Sequence, residues 1–247
     1  SDHPHDVHEA FPLPEEHAAD VRALALGASP DVRLLAATAA GVFLLPSAGG
    51  SWTSSPALRA LGPSWDVAAA PDGSAWIAAW DGLYHHRGSD LSRVPSLPGP
   101  VRAVAVASNG TVLAGGPHGY FRVRNGVATP IDISATRYLE RILPVPGDGG
   151  SWLLATGMGV FLVDEQGANR SRYLRGGFDT HSLAVRDAAF GTDGSLWAAT
   201  LGGLQRFRLP ARQGQPRLIE TQGPAQGLPS ADVRALAVGR DNTLWVG

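Results

Sequence analysis

Apolar positions in this chain do not recur at a helical period. They gather in short runs separated by tight polar turns. Residues 185–207, "VRDAAFGTDGSLWAATLGGLQRF", show the unit: an apolar run, an Asp-Gly pair, a second apolar run through Leu196 and Trp197, a double glycine, then alternating apolar and polar residues. An apolar run without alternation suits a strand covered on both faces. Asp-Gly between two such runs is a strong short-range hairpin signal.

The unit recurs. Counting back twelve residues from a Trp or its counterpart gives "VRDAAFGTDGSLW", "VRALAVGRDNTLW", "VRAVAVASNGTVL", "ERILPVPGDGGSW" and "SWDVAAAPDGSAW". "VRALALGASPDVRLLAAT" fits with two extra turn residues. The six copies start near Val21, Ser64, Val101, Glu140, Val185 and Val233, at spacings of 43, 37, 39, 45 and 48 residues. The first five each carry a turn glycine (Gly41, Gly82, Gly119, Gly159 or Gly203), a third strand and a more variable fourth segment, while no such third strand is visible in the sixth. Four short antiparallel strands at this period describe a propeller blade, which must stack on its neighbours to cover its two faces.

The pattern therefore predicts an all-β, six-bladed β-propeller of four-stranded antiparallel blades, one domain over residues 1–247. Residues 1–20 would complete the last blade, whose own copy stops fifteen residues after it begins. A seven-bladed or incomplete ring is the alternative.

Composition narrows the function. With 44% hydrophobic residues the chain can bury a core, and 31 Gly with 19 Pro favour turns over long helices. A net charge of −2 gives no general attraction to nucleic acid or anionic membranes. The absence of Cys excludes disulfides and thiolate metal sites. No apolar run reaches a membrane-spanning length. A start at Ser1 rather than Met points to a removed secretion signal or a trimmed chain.

The units resemble the two-component regulator propeller repeat family, whose pattern runs Asp/Asn-Gly-x-Leu-Trp-x-Gly-Thr and then Gly-Gly-Leu with an aromatic. "GLPSADVRALAVGRDNTLWVG" and "DGSLWAATLGGLQRF" carry the likeness best, while Leu113 stands where Trp is expected. The resemblance implies an extracytoplasmic bacterial sensor module, periplasmic or extracellular, that often recognises glycans.

In such a blade, the loops entering the inner strand and joining strands two and three share one face, the mouth of the central channel. The Asp-Gly hairpins lie on the opposite face. Two residue sets are expected at the mouth. The second residues of the inner strands are Arg22, Trp65, Arg102, Arg141, Arg186 and Arg234. Guanidinium groups there suit carboxylate, sulfate or phosphate, or they bond the acids beside them in sequence as struts. Trp80, Asp81, His118 and Tyr120 offer an aromatic and polar surface for a sugar or aromatic ligand.

The expected function is non-catalytic sensing of a small anionic or carbohydrate ligand, with no cofactor, no nucleic acid and no membrane span. A lyase or hydrolase using His118, His181 and Glu140 as acid and base is one alternative. A protein–protein interaction scaffold is another. His3, His5 and His8 are the one grouping of metal-ligand type, although chain ends seldom hold a metal.

Overall fold

The structure is a computed structural model that describes residues 13, 20–27, 29–133, 139–147, 150–157, 159–164, 184–209, 217–239 and 242–247. Five antiparallel sheets follow one another along the chain. Blade 1 comprises β1 (Val21–Leu26), β2 (Val32–Thr38) and β3 (Gly41–Pro46). A single bridge between Leu44 and Thr53 stands in place of a fourth strand there. Blade 2 comprises β4 (Ser64–Ala69), β5 (Ala75–Ala79), β6 (Gly82–Arg87) and β7 (Asp90–Arg93). Blade 3 comprises β8 (Ala103–Val106), β9 (Val112–Gly116), β10 (Gly119–Arg124) and β11 (Val127–Ile131). Blade 4 comprises β12 (Leu139–Pro144), β13 (Trp152–Thr156) and β14 (Gly159–Val163). Blade 5 comprises β15 (Val185–Phe190), β16 (Leu196–Thr200), β17 (Gly203–Arg208) and β18 (Arg217–Gln222). The sixth copy contributes a two-stranded hairpin, β19 (Leu236–Val238) and β20 (Leu244–Val246).

The inner strands pack in succession: β1 on β4, β4 on β8, β8 on β12, β12 on β15 and β15 on β19. Strands in meander order, arrayed about an axis by their first members, make a β-propeller. The sequence predicts six blades; among the described residues the structure has five and a hairpin. The sixth copy has no "GGLQRF"-like third strand, and residues 1–20, expected to finish it, lie outside the described residues except Leu13 and Asp20. Among the described residues, blades 1 and 4 show three strands rather than four.

A separate apolar layer fills each gap between blades. Ile77 and Val67 of blade 2 meet Leu35 and Val42 of blade 1. Trp76 and Leu83 meet Val104 and Val112 of blade 3. Leu113 and Tyr120 meet Trp152 and Phe161 of blade 4. Leu153 and Val160 meet Leu196 and Phe207 of blade 5, and Trp197 and Leu204 meet Val233 and Leu236. Blade 1 carries a further cluster on its outer flank, Ala36, Phe43, Leu45 and Trp52, against which Leu13 packs. The two terminal sheets leave apolar side chains in water: Leu24 is 53% and Leu26 70% exposed, and Trp245 58%.

The repeated letters have local reasons. Thr38, Thr156 and Thr200 end their second strands buried, and each hydroxyl donates to the carbonyl of the turn glycine three residues on, at 3.0, 2.9 and 2.7 Å. At Gly203 the backbone has φ +112°, and a Cβ would lie 2.3 Å from the Gln222 carbonyl oxygen. Only glycine meets both conditions.

Candidate functional site

The mouth of the channel is built from the first three residues of each inner strand. Pairing with the second strand skips one residue there: Arg22 in β1, Trp65 in β4, Glu140 in β12 and Arg186 in β15. Arg102 and Arg234 occupy the same place just ahead of β8 and β19, their N–H groups bonded to the Gly115 and Gly247 carbonyls. A bulge re-aims the side chain it releases from the ladder. Five of these six side chains lie beside or act on the next in order, from Arg22 through Trp65, Arg102 and Glu140 to Arg186. The Arg22 and Arg102 guanidinium carbons lie 5.8 and 4.5 Å from the Trp65 ring centroid, within cation–π range. Arg102 also acts electrostatically on Glu140, and Arg186 Nη1 stands 4.0 Å from Glu140 Oε1.

Arg141 does not join this rim. The register puts Glu140 at the bulge and Arg141 one step deeper, level with Asp66 and Asp187. The reason is Trp152. It pairs with Val163 as Leu196 pairs with Phe207, so it matches Leu196 and not Trp197. A count anchored on Trp152 is therefore one residue out of step.

The deeper layer ties blades together. Asp66 Oδ2 accepts the Val104 N–H of blade 3 at 2.9 Å, and Oδ1 accepts its neighbour Val67 N–H. Asp187 repeats this toward Leu236 N–H at 3.0 Å and Ala188 N–H at 2.8 Å. Arg141 Nε lies 3.4 Å from Asp187 Oδ1 and also acts on Asp66. Burial pushes the Asp66 carboxyl up to about 6, against the pull of Arg141 and the two N–H groups. Burial likewise raises Glu140, opposed by Arg186 and Arg102. Asp66, Arg141 and Asp187 thus form a charged floor beneath the rim.

Two rim arginines are already spent. Arg22 donates to Asp20 Oδ2 at 2.7 and 3.0 Å, and Arg234 donates to Asp232 Oδ2 at 2.7 and 2.9 Å. Arg102 has no carboxylate partner within ion-pair distance among the described residues, and Arg186 has only the long contact to Glu140. The strut role therefore fits Arg22, Arg234 and Arg141, and leaves Arg102 and Arg186 with donors to spare.

Of the second set, Tyr120 drops out. Trp80 is 55% exposed beside Gly62. Asp81 Oδ2 accepts the Tyr84 hydroxyl at 2.7 Å while its Oδ1 is buried without a partner, and burial with that bond pushes Tyr84 up to about 12. Tyr120 is 4% exposed and sits in the core between blades 3 and 4, where Leu83 and Leu204 stand in their own blades, so it offers no stacking face. His118 is exposed, with no hydrogen bond or ion pair among the described residues. His181, the third member of the acid–base set, and His3, His5 and His8, the whole metal grouping, lie outside the described residues.

Comparison with solved structures decides the fold. The chain superposes on the extracellular domain of a protein described as a hybrid two component system from B. thetaiotaomicron with a TM-score of 0.72 at 15% identity, covering 97% of this chain and 33% of that one. The chain shares the propeller fold of these domains. The resemblance drawn from the repeats thus has its structural counterpart, and the chain spans about a third of that neighbour's length. Virginiamycin B lyase from Staphylococcus aureus matches with a TM-score of 0.67 at 13% identity, over 92% of this chain and 77% of that one. YCF48 bound to D1 peptide matches at 0.67 and 16%, over 95% and 76%. No family model and no curated protein matches the sequence. One fold therefore appears in an extracellular domain of a two component system, a lyase and a peptide-bound protein, so function has to be argued from the site. Among the described residues no helix is long and apolar enough to cross a membrane.

Proposed function

We propose that the chain is the sensing propeller of an extracytoplasmic bacterial signalling protein, and that it binds a small anionic ligand or acidic carbohydrate at the mouth of the channel without catalysing a reaction. The observation that carries this reading is Trp65 flanked by two guanidinium groups, one of which, Arg102, has no carboxylate partner among the described residues. Arg102 and Arg186 stand on either side of Glu140 and supply donors for a carboxylate, sulfate or phosphate group. Trp65 supplies the apolar face on which a ring stacks. The floor of Asp66, Arg141 and Asp187 repels an anion by its carboxylates, so the ligand stays at the rim. Extracellular domains among the structural neighbours support the location.

A thermal-shift screen with sulfate and acidic oligosaccharides tests the proposal. A ligand at about 100 times its Kd adds roughly 2.7 kcal/mol of apparent stability. Arg102→Ala combined with Arg186→Ala should weaken a hit at least about tenfold. Arg22→Ala, whose guanidinium is held by Asp20, should matter less. Unchanged affinity in the double variant overturns the proposal.

A further inference from the structure

The hairpin face carries a second feature that the mouth does not use. A cleft of about 770 Å³ opens between blades 2 and 3, lined at depth by Ala70, Trp76 and Val94 and at its rim by Asp90, Ser108 and Asn125. This volume lies within the usual range for small-molecule sites.

Blade 5 shows why the cleft exists. There Arg206, paired across the strand with Trp197, lays its guanidinium 5.1 Å from the indole centroid and reaches Asp193, Ser195 and Glu220. In blade 2 the same two positions hold His85, opposite Trp76, and Ser92, opposite His85. Both are shorter. His85 still covers its tryptophan, with ring centroids 4.3 Å apart and planes 20° from parallel. The volume that Arg206 and Glu220 fill in blade 5 is left open.

The polar groups of the cleft have a definite sense. Asp72 is neutralised by Arg87. The Ser74 hydroxyl donates to Asp72 Oδ1 at 2.6 Å, so it accepts from His85 Nε2–H at 2.8 Å, which leaves His85 Nδ1 as an acceptor. Burial and Arg87 lower the His85 pKa against the opposing pull of Asp72. Arg93 directs its guanidinium away, to the Asp81 carbonyl. Asp90 forms no ion pair among the described residues and receives only a long contact from Ser89, at 3.5 Å. Ser108 and Asn125 have no side-chain partner among the described residues. The cleft thus combines an apolar floor and surplus acceptors with a carboxylate, Asp90, that faces Arg87 across the hairpin without forming an ion pair among the described residues.

We propose that this cleft binds a small organic cation, a primary ammonium on an apolar body, with the ammonium on Asp90 and the body against Trp76, His85 and Val94. The ligand class differs from the anion of the mouth, so the two readings fail independently.

Isothermal titration with 2-phenylethylammonium, 2-phenylethanol and 3-phenylpropionate tests it. The ammonium should bind at least about tenfold tighter than the alcohol, and the carboxylate more weakly still. Asp90→Asn, at an exposed position, should lose about tenfold for the ammonium alone. His85→Arg with Ser92→Glu, which rebuilds the blade 5 arrangement, should abolish binding while the chain still melts cooperatively. Arg102→Ala with Arg186→Ala should leave the ammonium affinity unchanged. Equal binding of the alcohol, no effect of Asp90→Asn, or no heat from the ammonium at tens of millimolar overturns the proposal. Sensitivity to the Arg102 and Arg186 changes would move the site to the mouth and overturn it equally.

Discussion

Blades 2 and 5 were built from the same instructions and diverge in one place. Both use a buried aspartate, Asp66 or Asp187, to hold the next inner strand by its N–H. Both close the first hairpin with an Asp-Gly-Ser turn in which the aspartate takes a 2.6 Å bond from the serine hydroxyl, Asp72 to Ser74 and Asp193 to Ser195. Both set a tryptophan, Trp76 or Trp197, one strand in. They part at the residue facing that tryptophan: His85 in blade 2, Arg206 in blade 5. What bonds turns and strands is repeated, because an unsatisfied buried N–H or a strained turn costs stability in any blade. What fills space near the surface is free to vary, because water takes the place of a missing side chain there.

The sharpest way to break this comparison is at the turn glycines. Gly203→Ala places a Cβ 2.3 Å from a carbonyl oxygen at φ +112° and should cost about 3 kcal/mol in urea unfolding. Gly82→Ala in blade 2 meets first the movable Arg93 side chain, at 2.8 Å, and should cost about 1 kcal/mol or less. Equal losses would show that the two turns are not differently constrained.

Next is the pH response. Asp66 titrates at about 6 in the folded chain and near 4 when unfolded. The folded state therefore binds its proton more tightly. The resulting stability is fully present below about pH 4 and is lost as pH rises to about 6, a change of roughly 2–3 kcal/mol. Asp193, held at about 2 by the Ser195 hydroxyl and N–H and by Arg206, has the opposite sign: its contribution is present above about pH 4 and disappears toward pH 2. Unfolding free energies measured between pH 4 and 7 should flatten in Asp66→Asn. An unchanged slope would dismiss Asp66 as its source.

Removing the inter-blade bond altogether comes third. Asp66→Ala strands the Val104 N–H and should cost about 2 kcal/mol at pH 7, while Asp66→Asn, which keeps an acceptor, should cost less than about 1 kcal/mol. Asp187→Ala should behave like Asp66→Ala if the two bonds are equivalent. The smallest effect belongs to Arg206→His with Glu220→Ser, which gives blade 5 the short side chains of blade 2. Surface ion pairs contribute little, so the loss should stay within about 1 kcal/mol in chemical denaturation.

Much of the fold was legible because its determinants are local. Hairpin turns, turn glycines and the buried Ala-Thr ends of the second strands are each written within a few residues. Blade 4 is instructive. Leu35, Trp76, Leu113 and Trp197 stand six residues before their turn glycines, whereas Trp152 stands seven before Gly159. A count from the glycine, which the backbone conformation fixes, would have placed Glu140 at the rim and Arg141 beneath it. Tyr120 was likewise readable as core, since it directly follows a turn glycine, where the other copies have Val42, Leu83, Val160 and Leu204. The aspartates beside the rim arginines looked like their partners in sequence. Asp66 and Asp187 instead reach backbone N–H groups 38 and 49 residues away, a pairing that only assembly about the axis creates. The cleft was hidden for the same reason, although the shorter His85 in "LYHH" against Arg206 in "LQRF" was its trace in the sequence. The number of blades was not legible, because a sheet needs all its strands and a repeat can be recognised from half of one.

The unpaired position at the start of each inner strand has a consequence for how such a chain changes over time. It leaves one side chain per copy outside the pairing of its sheet, and the six copies have spent that freedom on Arg22, Trp65, Arg102, Glu140, Arg186 and Arg234. The opening of the wheel is thus a short word whose letters can be rewritten one at a time while the spokes stay as they are.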